Sequence, residues 1–428
     1  MLTPARGPIC LMPHCGYLSE TSRMLAIRTA LIARGAEVIV ATHGGTHEHL
    51  LRTLGVPYDI VGPRMTDERC RRMVLDGPGI GKPDQSMWSD DELRTFTRAE
   101  AEYFRERGVS IAVTGFTLTA LLSTRLAGIP LACEHAGSFV PPLWERSLVE
   151  APLVSPLPFT QWLPAAVRRR LANLGTNHVA LHCSGFNRIA RELGVEGVPS
   201  FAQLLLGDVT IVTEIPEVLG VTAADLDAWR PTRPGYRPST RLKAGGPIFA
   251  ELDVPLPAEV DTFLSAGGPM VYVAMTSTTP AAVRSVVNAL KPLGVRVLVA
   301  GTVHALSDLE DEQVMVGGVL PSHRVMPRVD IAVTAGGQGS VQCAMASGTP
   351  IVALPLHPEQ DLNASLIEKQ GAGHRMTFAD AATPRLATLV GRMLERSNYG
   401  DAARSIQALY SSVDGPGLAA DAILQAVA

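Results

Sequence analysis

Short apolar runs alternate with helix-period segments along the first third of the chain. Ile9-Cys10-Leu11-Met12 reads as a buried strand. Behind it, Met24, Ile27 and Leu31 repeat at helical spacing, with Arg28 and Arg34 off that stripe. Gly35 stands where a helix closes on a left-handed residue. Val38-Ile39-Val40-Ala41 is the next strand. Strand, helix and strand within about 30 residues form the βαβ unit of a parallel sheet. The pattern recurs in Ile111 to Thr114, a helix over Leu118 to Ala127, and a strand over Leu131 to Cys133.

Residues 62–98 break the rhythm. They are rich in Pro, Gly, Asp and Arg and show no clean period, so a long surface excursion of the binding-loop type is expected there. Trp162 to Leu174 is helical and basic, with Arg168, Arg169 and Arg170 in a row. A solvated helix face is the expectation, with membrane-surface contact as the rival. Val209 to Thr213 reads as the last strand of the first half. The proline-rich stretch that follows suggests a linker at 229–246. A second βα series then runs through Val271 to Met275, Val295 to Ala300, Val314 to Val316, Ile331 to Thr334 and Ile351 to Leu354. Thr279 before Pro280 fits a helix cap followed by proline in the first turn. The division expected is therefore an N-terminal domain over 1–228, a linker over 229–246, a C-terminal domain over 247–400 and a helical tail over 401–428, packing back toward the first domain.

Composition narrows the class. A chain of 428 residues is too long for one ordinary core and suits two domains. Net charge is −4 without a long run of one sign, which argues against nucleic acid as a partner. No window of about 18 apolar residues is present, so no integral membrane segment is expected. Cys10, Cys15, Cys70, Cys133, Cys183 and Cys343 are scattered, with no C-x-x-C pair. That usage suits a reducing cytoplasm and offers no metal-ligand spacing.

The candidate chemistry concentrates in residues 333–373. A strand ending at Thr334 opens into Gly336-Gly337-Gln338-Gly339, and a helix is expected from Ser340. Glycines permit close backbone approach, and amides at a helix start attract anions, so a phosphate or pyrophosphate is the natural ligand. A tight turn without ligand is the plain alternative. After a further short strand comes Pro355-Leu356-His357-Pro358-Glu359-Gln360-Asp361-Leu362-Asn363. Carboxylate and amide side chains on one loop suit sugar hydroxyls, which both donate and accept hydrogen bonds. Asp361 is also placed to cap a helix over 362–370.

Gly336-Gly337-x-Gly339-Ser340, Gly348-x-Pro350, Pro355 and Glu359-Gln360-x-x-Asn363-Ala364 resemble the donor-binding signature of the GT-B glycosyltransferases, closest to the UDP-glycosyltransferase-like family with the bacterial macrolide and natural-product enzymes. Met270 to Val273, Val319-Leu320-Pro321-Ser322, Gly246-Pro247-Ile248 and Leu31-x-x-Arg34-Gly35 resemble further family landmarks. The resemblance implies an α/β fold of two Rossmann-like domains whose parallel sheets face a central cleft. It implies an inverting, metal-independent glycosyltransferase that uses a nucleotide diphosphate sugar, with UDP or dTDP as the nucleotide, and no cofactor. The other partner is a small, hydroxylated, natural-product-like acceptor, and a homodimer is left open.

By the same resemblance, Pro321 and Ser322 lie where the base packs, and Thr276 and Ser277 in a first phosphate loop. Ala335, Gly336, Gly337, Gly339 and Ser340 line the diphosphate, and Glu359, Gln360 and Asn363 face the sugar. The departures are specific. Ala335 stands where the family usually has His, and Cys343 where it usually has Glu. Counting back from Arg34-Gly35 puts Glu20 at the position of the usual catalytic histidine, and the aspartate that orients that histidine would fall near Gly115. Glu20 is thus the candidate base, with His14 its rival. A non-catalytic binder of the same fold and a nucleotide-sugar epimerase are the competing functions. A dinucleotide oxidoreductase is disfavoured because no G-x-G-x-x-G follows the first strand.

Overall fold

The computed structural model describes all residues except 1–6, 77–86, 156–157, 176–177, 233, 250–253, 276–277 and 302–304. Two compact units emerge. The first comprises Met1–Leu148, Arg170–Ala250 and Asp414–Ala428, and the second Val149–Arg169 and Glu251–Val413.

The first unit is built on seven parallel strands: β1 (Ile9–Leu11), β2 (Val38–Thr42), β3 (Asp59–Ile60), β4 (Ile111–Thr114), β5 (Leu131–His135), β6 (Val209–Val212) and β7 (Arg241–Ala244). Their order is β3-β2-β1-β4-β5-β6-β7. Central β1 pairs on both sides, with Cys10 opposite Ile39 and Ala112. Alternate residues of a strand face opposite sides of the sheet, and both sides here are apolar. Ile9 and Leu11 enter one core with Met24, Ile27 and Leu31 of the helix Leu18–Ala33. Cys10 and Met12 enter a second core with Met73, Trp88 and Phe96. Each buried side chain of this size contributes about 1.5–3 kcal/mol, so the three-residue helical stripe alone is a substantial anchor. Gly35, at φ 78°, closes that helix and donates to the Ile32 carbonyl at 2.9 Å.

The second unit carries a parallel sheet of β8 (Met270–Ala274), β9 (Arg296–Ala300), β10 (Val314–Gly317), β11 (Ile331–Thr334), β12 (Ile351–Ala353) and β13 (Gly373–Arg375), in the order β10-β9-β8-β11-β12-β13. Thr279 caps the helix Pro280–Leu290 by accepting from the Ala282 amide.

Several expectations change. The stretch 229–246 holds β7, which pairs with β6, and Trp229 and Tyr236 are buried, so this segment closes the first sheet and is no free linker. Only Leu242 of β7 points fully inward, which leaves too little apolar pattern to read among the prolines. In the excursion 62–98, residues 77–86 lie outside the described residues, and the rest carries the helices Asp67–Asp76 and Asp90–Glu106, with Met65, Cys70, Met73, Met87, Trp88, Leu93 and Phe96 in the core. The second helix starts at a reciprocal cap, Ser89 with Glu92, which the charge-rich composition hides. The tail expected over 401–428 divides: residues up to Val413 group with the second unit, and the helix Gly415–Val427 belongs to the first, where Ala419, Ala420 and Ile423 pack with Met24 and Ile27.

Candidate active site

The glycine loop after β11 is shaped by one close approach. Gly336 has φ 85°, and a Cβ there would lie 2.7 Å from the Gln360 carbonyl oxygen, so only glycine fits. Its amide donates to Thr334 Oγ1 at 3.0 Å. Gly337 then caps the helix Gln338–Ala346, which starts two residues earlier than expected at Ser340. The helical ladder opens with the Val341 amide on the Gly337 carbonyl, so Gly339 and Ser340 lie in the first turn, at the positive end of the helix dipole. Gly337, Gly339 and Ser340 are half-buried, and a Cβ on Gly337 would meet nothing within 4 Å. Ala335, just before, is buried.

The Glu359-Gln360-Asn363 set behaves differently from a row of sugar-facing groups. The helix here runs Pro358–Lys369, with His357 at its cap position, so Asp361 caps nothing. Buried Asp361 instead accepts from the Leu153 and Val154 amides at 2.6 and 3.1 Å and pairs with Arg375 at 2.7 Å. Gln360 is buried and accepts from the Leu356 amide at 2.8 Å, which fixes the loop. Asn363 donates to Glu359 and, at 3.4 Å, to the Gly336 carbonyl, which ties the helix to the glycine turn. Glu359 remains partly exposed. Ser322 follows Pro321 in the short helix Ser322–Val325, its hydroxyl 3.1 Å from Tyr272 Oη. Thr276 and Ser277 lie outside the described residues.

In the first unit, Glu20 sits in the opening turn of the helix Leu18–Ala33 and is buried. Its carboxylate accepts three backbone amides: His14 at 2.7 Å, Gly115 at 3.0 Å and Phe116 at 3.3 Å. Burial, and secondarily the nearby Glu134 carboxylate, push its pKa up to about 7, against the lowering effect of Arg23 and the amides. Glu134, on β5, is the residue that sequence reading missed. One of its oxygens takes Arg23 Nε at 2.7 Å, and the other is buried without a hydrogen-bond partner among the described residues. A Cβ at Gly115 would lie 2.4 Å from Glu134 Oε1 and 3.0 Å from Glu20 Oε1. The two carboxylates therefore fill the space that an aspartate at 115 would need. The one available signal was the polar pair Glu134-His135 closing an apolar strand.

His14 is held differently. It is buried, its Nδ1 accepts the Gly16 amide at 3.2 Å, and its Nε2 faces Met73 Sδ at 3.1 Å. Burial lowers its pKa to about 3, so it is neutral at pH 7, with its lone pair already engaged.

Comparison with known proteins finds a family match in the second half of the chain and relatives over most of its length. The family described as UDP-glucoronosyl and UDP-glucosyl transferase matches residues 238–413. A PGL/p-HBAD biosynthesis glycosyltransferase of Mycobacterium tuberculosis is 25 % identical over 73 % of this chain and 70 % of its own length. A PGL/p-HBAD biosynthesis rhamnosyltransferase of Mycobacterium bovis is 25 % identical over 73 % of this chain and 66 % of its own. Among solved structures, the kitacinnamycin glycotransferase superposes with a TM-score of 0.65 at 18 % identity, covering 100 % of both chains. Glycosyltransferase VinC in complex with dTDP reaches 0.64 at 15 % identity, over 98 % of this chain and 99 % of its own. These likenesses carry the fold, two Rossmann-like units with parallel sheets, and the family match over 238–413 together with the relatives' names supports a glycosyltransferase that is UDP-glycosyltransferase-like in its second half.

Proposed function

We propose that the chain transfers a sugar, with inversion, from a nucleoside diphosphate donor to a hydroxyl of a natural-product-like acceptor. The observation that carries this is the half-buried glycine turn and first helical turn at Gly337–Ser340, inside the segment that matches the family. Amides at the positive end of a helix bind a diphosphate and hold the charge that develops as it leaves. Thymidine diphosphate is the nucleotide we favour over UDP, because VinC and other fold neighbours were solved with it. We assign the base to Glu20. It takes the acceptor proton, the acceptor oxygen bonds to the anomeric carbon, and the bond from that carbon to the diphosphate oxygen breaks. A carboxyl group titrating near 7 matches its proton affinity to neutral operation. His14, neutral and hydrogen-bonded through Nδ1, is the weaker candidate.

Gly337 provides a clean test. Its backbone, at φ −63° and ψ 147°, suits any residue, and aspartate is a good helix cap. Gly337→Asp should leave the melting temperature intact or raised while placing a negative charge in the anion site. Calorimetry should show TDP affinity falling more than about tenfold, roughly the worth of one charged hydrogen bond. Unchanged TDP binding in a folded variant would remove the diphosphate from this turn. Turnover of a dTDP-hexose, followed by the product's anomeric configuration, distinguishes an inverting enzyme from a binder.

A further inference from the structure

One surface segment has a composition unlike the rest of the molecule. From 151 to 191 the chain contains no Asp or Glu, and Arg168, Arg169 and Arg170 stand together there, in a protein of net charge −4. The same segment is rich in exposed apolar side chains. Of the thirteen large hydrophobics exposed among the described residues, six fall between 159 and 179. Trp162 is 89 % exposed, whereas Trp88, Trp144 and Trp229 are all buried.

The helix Ala165–Gly175 shows how these groups are arranged. Val167, Leu171 and Leu174 are spaced i, i+4, i+7 and form one stripe. At that kind of spacing Met24, Ile27 and Leu31 are wholly buried; here all three are exposed. Helical geometry puts Arg168 and Arg170 on opposite flanks of the stripe. Asn173, off the stripe, is the buried contact of this helix. Arg168 donates to the Pro152 carbonyl, and Arg169 stands 3.9 Å from Glu150, outside the acid-free stretch. The expectation of a solvated basic face therefore covers the arginines but leaves the apolar stripe unexplained. A water-facing tryptophan three residues before a helix with an exposed Val/Leu stripe, with cations on its flanks, is the composition of an interfacial helix.

We propose that Phe159–Leu174 seats the protein on an anionic lipid bilayer. Trp162, Phe159 and the Val167/Leu171/Leu174 stripe enter the headgroup boundary, and the arginines meet lipid phosphates. Charge complementarity selects this occupant. An apolar stripe alone would serve any partner, whereas three arginines without a nearby acid in sequence favour a negative surface. The inference is independent of the donor site, so its failure would leave that reading untouched.

The full chain is mixed with phosphatidylcholine vesicles with and without phosphatidylglycerol, and binding is followed by flotation and tryptophan emission. The expected result is flotation with anionic vesicles only, release at high salt, and a blue shift of the emission. Because Trp162 is the exposed tryptophan, the shift should vanish in Trp162→Ser, whose solvent-facing site leaves folding undisturbed. Replacing Arg168, Arg169 and Arg170 together by Gln should weaken partitioning on the order of a hundredfold. Absence of flotation on anionic vesicles, or binding that leaves Trp162 emission unmoved, overturns the proposal. So does sedimentation showing a dimer that dissociates on Trp162→Ser, which would assign the face to a second copy.

Discussion

Glu20→Gln separates the carboxyl chemistry from the shape of the site. The substitution keeps the side-chain length and one acceptor oxygen but cannot take a proton, so turnover should fall by about 10²–10⁴-fold. Wild-type turnover should rise through pH 7 as the carboxyl group ionises. A second, independent readout is stability. The pKa of this group rises from 4.5 to about 7 on folding, so the folded chain holds the proton more tightly than the unfolded one. The resulting stabilisation is fully present below pH 4.5 and is lost as pH climbs through 7, a swing of about 3 kcal/mol at 1.36 kcal/mol per unit. Gln has no such swing. It does carry a constant penalty: its single oxygen serves the Gly115 and Phe116 amides, and its NH₂ then confronts the His14 amide, at a cost of about 1–3 kcal/mol. Glu20→Gln should therefore be the less stable protein at pH 4.5 and equal or more stable at pH 8.5. Urea denaturation followed by tryptophan emission reads this directly, because Trp88, Trp144 and Trp229 are buried in the first unit while Trp162 stays exposed. A stability difference that moves by less than about 1 kcal/mol across that range would refute the raised pKa. Near-normal turnover would refute the base.

Three further outcomes follow from the geometry. Gly336→Ala must hold φ 85° and set its Cβ 2.7 Å from the Gln360 carbonyl, so it should lose about 2–5 kcal/mol and displace the glycine turn, seen as a lower melting temperature with weaker TDP binding. Asp361→Asn breaks the buried pair with Arg375 and takes an acceptor from the Leu153 and Val154 amides; denaturation should show a loss of about 3–5 kcal/mol, and a smaller loss than about 1 kcal/mol would contradict the bracing role. Glu100 is buried in the first unit, 2.7 Å from His43 Nε2, and also accepts from Thr119 and Ser123. Glu100→Ala leaves all three without their acceptor and should cost about 3–5 kcal/mol, read in the tryptophan-monitored transition of the first unit.

How far the chain could be read without coordinates depended on whether each feature was local. The interior strands of both sheets are continuous apolar runs, and all nine are legible to within a residue or two. The Gly35 stop and the Thr279-Pro280 cap are local chemistry and were legible for the same reason. Among the edge strands β10 is apolar enough to read as Val314 to Val316, whereas β7 offers one inward residue, Leu242, and β13 reads Gly-His-Arg, so neither of those two carries a hydrophobic signal. The excursion 62–98 concealed core residues because its acids and arginines pair across the surface, as Arg69 does with Glu92 at 2.7 Å. Composition alone reports such segments as loops.

The base site shows the other boundary, between motif position and side-chain role. Counting residues put Glu20 at the mouth of β1 and marked Gly115 as a missing partner. It could not say that those two departures are one fact. In the folded chain, the absence of a side chain at 115 is what admits the carboxylates of Glu20 and Glu134, and Glu134 lies on a third strand, 114 residues away from Glu20 in sequence. A histidine base with an aspartate behind it stabilises the cation formed when the histidine takes a proton. A glutamate base is neutral after it takes one and needs the opposite environment, one that disfavours its anion. Burial and a second carboxylate supply that environment here, while Arg23 and three amides stop it from going too far. On the proposed reading of Glu20 as the base, Glu in place of the family's His and Gly115 in place of its orienting Asp therefore change sign together. An altered base of the kind proposed requires both changes together, because a carboxylate left at 115 would collide with Glu20 and Glu134.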